Sequence, residues 1–139
     1  MKYLLLLLPF CTFAQEYTTV SNESFMHITV TMYEIKEDTS VSNLLSFSYR
    51  NNKYRSIVDV AVISMFDEEE VKEFVDNMDK AMVAREQKKQ KIFAYDQYTF
   101  STYGSFKEVF IDRKGKTTYI TPKQWKKIRP YLLKMTFLP

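Results

Sequence analysis

Two stretches of this chain carry full helix punctuation, and each follows a run of alternating apolar residues. In the first, Asp67 is placed to cap, Glu70 sits three positions on, and Phe66 ahead of the cap can pack on Val71. Glu68, Glu69 and Glu70 suit the positive end of the helix dipole, and Arg85, Lys88 and Lys89 its negative end. Val71, Phe74, Val75, Met78 and Met82 recur at helical spacing. In the second stretch Thr121 caps, Pro122 takes the first helical position, Gln124 completes a capping box, and Ile120 can pack on Trp125. Trp125, Ile128, Leu132 and Met135 share one face. Pro130 is expected to kink or break this helix, because it has no N–H to donate and its ring crowds the preceding turn.

The segments before each helix read as strands. Met26, Ile28, Val30 and Met32 alternate with Phe25, His27, Thr29, Thr31, Tyr33 and Ile35. Residues Glu16 to Glu23 read as a polar lead-in. Leu45, Phe47 and Tyr49 mark a second strand, Asn51-Asn52 a two-residue turn, and Tyr54 to Met65 a third strand rich in β-branched residues. Ile92 to Tyr103, Phe106 to Ile111 and Lys116 to Ile120 read as three more, separated by turns at Gly104-Ser105 and Asp112 to Gly115. Hairpin-linked strands pair antiparallel. The predicted fold is α+β: an antiparallel sheet of about six strands with two helices on one face, in the order β-β-β-α-β-β-β-α.

The N-terminus has the layout of an export signal. Lys2 precedes the apolar run Leu4 to Leu8, and Thr12 and Ala14 supply small residues for cleavage before Gln15. That run is too short to cross a bilayer, which takes roughly 20 residues. The expected organisation is a signal peptide over 1–14 and a single domain over 15–139. The expected location is periplasmic or extracellular. Cys11 lacks the small residue that precedes a lipidated cysteine, so a lipoprotein is not the expected form. Cleavage removes this lone cysteine, leaving no disulfide, thiol nucleophile or thiolate ligand. Stability must then come from an apolar core, which a chain of this length can build.

Little in the sequence points to catalysis. There are only two glycines, Gly104 and Gly115, too few for a phosphate-cradling loop. His27 is the single histidine, so neither a zinc centre nor a catalytic triad is suggested, and no metal or cofactor is expected. Asp59 lies inside an apolar run, where burial would raise its pKa. With Glu34 or His27 it forms the weak alternative of a hydrolase.

Aromatic content points elsewhere. Tyr33, Tyr98, Phe100, Phe106, Phe110 and Tyr119 lie on strands with two partly apolar faces, and two helices are expected to cover only one of those faces. An exposed aromatic face marks an interaction site. Charge adds to this. Residues Glu16 to Ala84 hold 6 basic and 13 acidic side chains, net −7, whereas Arg85 to Pro139 hold 13 and 4, net +9. Lys123, Lys126 and Lys127 fall in the basic part and form an accessory set. The expected function is that of an exported, non-enzymatic binding domain of the cell envelope. Its partner would be a protein, a second copy or a glycan, with an anionic surface as a further possibility and a purely structural assembly subunit as a further alternative.

The closing strand–turn–strand, followed by Thr121-Pro122-Lys123-Gln124-Trp125-Lys126-Lys127-Ile128, resembles the end of the whirly-type single-stranded-DNA-binding coactivators. The resemblance implies aromatic strands and basic residues suited to single-stranded nucleic acid. The export signal argues against that ligand, and no nucleic acid is expected as partner.

Overall fold

The computed structural model describes residues 15–53 and 59–139. The expected signal peptide, with Cys11, and residues 54–58 of the expected third strand lie outside the described residues. Four strands, β1 (Glu16–Phe25), β2 (Ile28–Glu37), β3 (Ser40–Arg50) and β4 (Val60–Met65), lead into helix α1 (Glu68–Glu86). Four more, β5 (Lys91–Ala94), β6 (Thr99–Thr102), β7 (Val109–Arg113) and β8 (Lys116–Ile120), lead into α2 (Pro122–Leu133). The fold is α+β, but the strands form two four-stranded antiparallel sheets, ordered β1-β2-β3-β4 and β5-β6-β7-β8. The expected single six-stranded sheet is therefore corrected, and the two halves repeat one order of elements.

The extra strands have clear physical origins. β1 is the stretch read as a polar lead-in. Its side chains are almost all exposed, so it shows no apolar alternation, and main-chain pairing with β2 recruits it. The stretch Ile92 to Tyr103 divides into β5 and β6 because residues 95–98 turn, with Tyr95 N donating to Tyr98 O at 2.9 Å. The Asn51-Asn52 turn is also corrected. Arg50 pairs with Val60 and Asn51 N donates to Asp59 O at 2.7 Å, so β3 and β4 are not joined by a two-residue turn at Asn51-Asn52.

Alternation does decide which residues go inside. Ile28, Val30 and Met32 of β2, Leu45, Phe47 and Tyr49 of β3, and Ala61, Ile63 and Met65 of β4 face one core. Phe100, Val109, Ile111 and Ile120 reach the same core from the second sheet. Helix α1 lies against β5, β6 and β7 as well as β4, and α2 lies beside β1 and α1. Phe74 sits at the centre, its ring 5.0 Å from Phe47, 5.1 Å from Tyr98, 5.6 Å from Phe100 and 6.5 Å from Trp125. Each such fully buried side chain contributes about 1.5–3 kcal/mol by leaving water.

Both expected caps form, but at α1 Glu70 reaches back to Phe66 N rather than to the cap residue, so only α2 carries the full capping box. Glu70 N donates to Asp67 Oδ1 at 2.8 Å, and Thr121 and Gln124 form a reciprocal capping box. Pro130 does not break α2, which continues to Leu133. The bond Pro130 cannot make would have gone to the carbonyl of Lys126, an exposed residue whose carbonyl water can satisfy.

Polar contacts join the sheets. Tyr49 Oη donates to Lys116 O at 2.7 Å, and Asn52 N to Thr117 O at 2.9 Å. The buried Asn51 accepts from Thr117 N and donates to Asp59 Oδ2. The outer edge of β4 is closed by a side chain: Ser64 N donates to Gln97 Oε1 at 3.1 Å and Gln97 Nε2 donates back to Ser64 O at 2.9 Å. Those are the two bonds another strand would make, so this stretch of edge offers no template for pairing. Two ion pairs, Asp59–Lys116 at 2.6 Å and Asp79–Arg129 at 2.9 Å, link the acidic first half to the basic second half.

Candidate functional site

Phe25 pairs with Ile28, leaving Met26-His27 as a two-residue turn. Met26 takes φ 61°, the left-handed region that hairpin turns reserve for glycine, and its side chain is 85 % exposed. A non-glycine residue there costs roughly 1–2 kcal/mol. Contacts with the second half of the chain hold the turn in place. His27 Nε2 donates to Tyr119 O at 2.7 Å, and the two rings lie 5.1 Å apart. Phe25 packs edge-on against Tyr131 at 5.7 Å. The tip of the first sheet is thereby docked on β8, the last strand of the second.

Between this tip and the start of α2 lies a half-open cleft of about 520 Å³. Phe25, Met26 and the rings of His27 and Tyr119 supply its apolar wall, while Lys123, Gln124 and Lys127 line the side of α2. Its size falls within the range of ligand pockets. Lys126 is exposed on α2 but does not line the cleft.

Tyr119 also belongs to a second feature. On the outer face of the second sheet, register places Ile92 beside Ser101, Ser101 beside Phe110, and Phe110 beside Tyr119. Tyr103, Phe106 and Phe110 form a mutual edge-to-face triad with centroids 5.5–6.1 Å apart. Ile92 is 66 % exposed, Phe106 52 %, Tyr119 40 % and Tyr103 36 %. The aromatic face and the cleft are therefore one continuous surface, joined at Tyr119.

Phe106, Phe110, Tyr119, Lys123 and Lys127, singled out from sequence, thus come together. Tyr98 and Phe100 do not. Phe100 has no exposed surface and Tyr98 packs on Phe74, so both rings serve the core. Burial pushes the Tyr98 hydroxyl above the usual phenol range. Tyr33 lies on the outer face of the first sheet, half-buried and edge-on to Tyr17 at 6.4 Å. Sequence reasoning missed Phe25 and Met26, whose role depends on a contact between residues 92 positions apart. It also missed Ile92 and Tyr103.

The acid–base candidates stay apart. Asp59 is not a buried, protonated acid. Hydrogen bonds from Lys116 and then Asn51 hold its carboxyl below the usual aspartate range, correcting the expected rise. Glu34 pairs with Lys36 and sits seven residues along β2 from His27, roughly 20 Å away. The Nε2 of His27 is engaged by the Tyr119 carbonyl. Among the described residues no group of three or more His, Cys, Asp or Glu converges as metal ligands would, and no helix is long and apolar enough to cross a membrane.

No protein family, curated protein or solved structure matches this chain.

Proposed function

We propose that the protein is an exported, non-catalytic binding domain that docks a protein partner on the outer face of its second sheet. The observation that carries this is the cluster of exposed Ile92, Tyr103, Phe106 and Tyr119 around the half-buried Phe110. Large rings in water are unfavourable for an isolated fold, and contiguous aromatic patches on otherwise sealed proteins serve recognition. Tyr and Phe supply contact area at low entropic cost, and the lysines of α2 give the patch a polar rim of the kind interfaces show. The export signal read from the sequence supports a partner in the envelope or outside the cell.

The test separates folding from binding. The Phe106→Ser/Phe110→Ser protein is expected to unfold within about 1 kcal/mol of the parent, since Phe106 is exposed and Phe110 is only partly covered. The parent is expected to retain one protein in stoichiometric amount from an envelope extract, and the same variant to lose it. Retention of that protein, or collapse of the fold, contradicts the reading.

A further inference from the structure

The cleft beside the aromatic face has a chemistry of its own. One wall is apolar, built from Phe25, Met26 and Tyr119. The opposite side carries three donors. Lys123 and Lys127, four residues apart on α2, share one helix face. Neither enters an ion pair among the described residues. Gln124 uses its Oε1 within the capping box, accepting from Thr121 N and Thr121 Oγ1, and its Nε2 donates to no protein group among the described residues. Glu23 of β1 is the one acid that lines the cleft. Two cations against one anion favour a ligand with negative charge directed at α2 and apolar bulk directed at the hairpin tip.

We infer that this cleft binds a small carboxylate-bearing ligand with an apolar body, seated between the Met26-His27 tip and the Lys123–Lys127 face of α2. The carboxylate accepts from the two ammonium groups and the Gln124 amide. The apolar body covers the Phe25 and Met26 side chains, whose exposure is otherwise unfavourable. A pocket near 520 Å³ takes a medium-length acyl chain or the last two residues of a peptide. Both present the same chemistry, an apolar group beside a terminal carboxylate. This cleft adjoins the protein-docking face and shares Tyr119 and the α2 lysines with it, but Phe25 and Met26 serve the cleft alone and Phe106 and Phe110 the face alone, so Met26→Gly and Phe106→Ser/Phe110→Ser test the two readings separately.

The experiment is an NMR titration of the protein with decanoate below its micelle concentration, with decanol as the uncharged control. A tetrapeptide ending in Leu-Phe, as free acid and as amide, provides the second arm. Shifts confined to Phe25, Met26, His27, Tyr119 and the first turns of α2 are expected, with acids bound more tightly than their neutral analogues. Lys123→Gln/Lys127→Gln is expected to weaken acid binding by about tenfold while leaving decanol unchanged, because only the charge-assisted bonds are removed. Met26→Gly keeps the left-handed turn and removes apolar wall, so it is expected to weaken decanoate and decanol alike. Tighter binding by decanoate assigns the natural source to free fatty acids, and tighter binding by the peptide acid assigns it to chain ends; either supports the inference. It is overturned by shifts scattered over the surface, by no shifts at millimolar probe, or by equal affinity for acid and neutral analogue.

Discussion

The Nε2 of His27 donates to the main-chain carbonyl of Tyr119 at 2.7 Å, and the imidazole lies against the phenol ring. A carbonyl only accepts, so this nitrogen carries a hydrogen whether or not the ring is charged. The contact fixes the hairpin tip of the first sheet to the last strand of the second and so defines the cleft. His27→Ala is expected to lower the unfolding free energy by about 1 kcal/mol, the usual value of one such bond. His27→Gln, which offers an amide donor of similar reach, is expected to recover part of it. Urea unfolding of the three proteins measures both effects, and an unchanged midpoint for His27→Ala would show the contact to be idle.

Phe74 is the residue on which the two sheets and both helices converge. Its replacement by alanine leaves a cavity that the surrounding rings, held by separate elements, cannot close. The expected cost is about 3–5 kcal/mol, a large part of the 5–15 kcal/mol that holds a typical domain together. Phe74→Leu is expected to cost clearly less. Thermal and urea unfolding distinguish them.

Helix α1 ends in a left-handed residue that is not glycine. Lys88 has φ 54°, with Lys88 N donating to Arg85 O at 2.9 Å and Lys89 N to Ala84 O at 3.0 Å. That pair of bonds forms a Schellman motif whose turning position favours glycine. Lys88→Gly is expected to stabilise the protein by about 0.5–1 kcal/mol, the left-handed penalty less the added freedom of the unfolded chain. Gly104→Ala should do the opposite, because a β-carbon there would lie 2.9 Å from Lys88 O. Differential scanning calorimetry reads both signs.

Stability should fall at both ends of the pH scale, for different residues. Asp59 is held below the usual aspartate range by Lys116 and Asn51. Its contribution is present above the unfolded value, about 3.9, and is lost as pH falls through the lower folded value. Asp59→Asn is expected to flatten the acid limb of a plot of urea midpoint against pH. Burial raises the hydroxyls of Tyr49 and Tyr98 above the usual phenol range. Their folded-state values exceed the unfolded one, so their effect is absent below about pH 10 and destabilises as pH climbs beyond it. Tyr49→Phe removes the bond to Lys116 O and lowers the plateau, but its alkaline limb is expected to be shallower.

What could be read from sequence was local. The caps at Asp67 and Thr121 involve residues three positions apart, and composition alone marks them. The inward residues of β2 and β3 obey a two-residue period. β1 escaped because a strand held by main-chain bonds, with its side chains in water, has no apolar signature. Tyr98 and Phe100 were misplaced because residues 95–98 turn and reset which face is inward, so that Phe100 pairs with Phe93 and Ile111 across the core side. Asn51 reads as a turn residue, yet its side chain is buried and bridges Asp59 and Thr117, a use only tertiary structure reveals. The aromatic face was legible residue by residue at Phe106, Phe110 and Tyr119. Its continuity with the cleft was not, since that depends on where the hairpin tip lands.

On the reading proposed above, the exposed rings of the second sheet serve recognition. The most direct measurement replaces Phe106 with a photo-crosslinking amino acid in the producing cell and compares it with the same probe at Val83, which is equally exposed on the outer side of α1. One discrete crosslinked protein is expected from position 106 and none from position 83. Equal, diffuse labelling from both positions, or none from position 106, would contradict that reading.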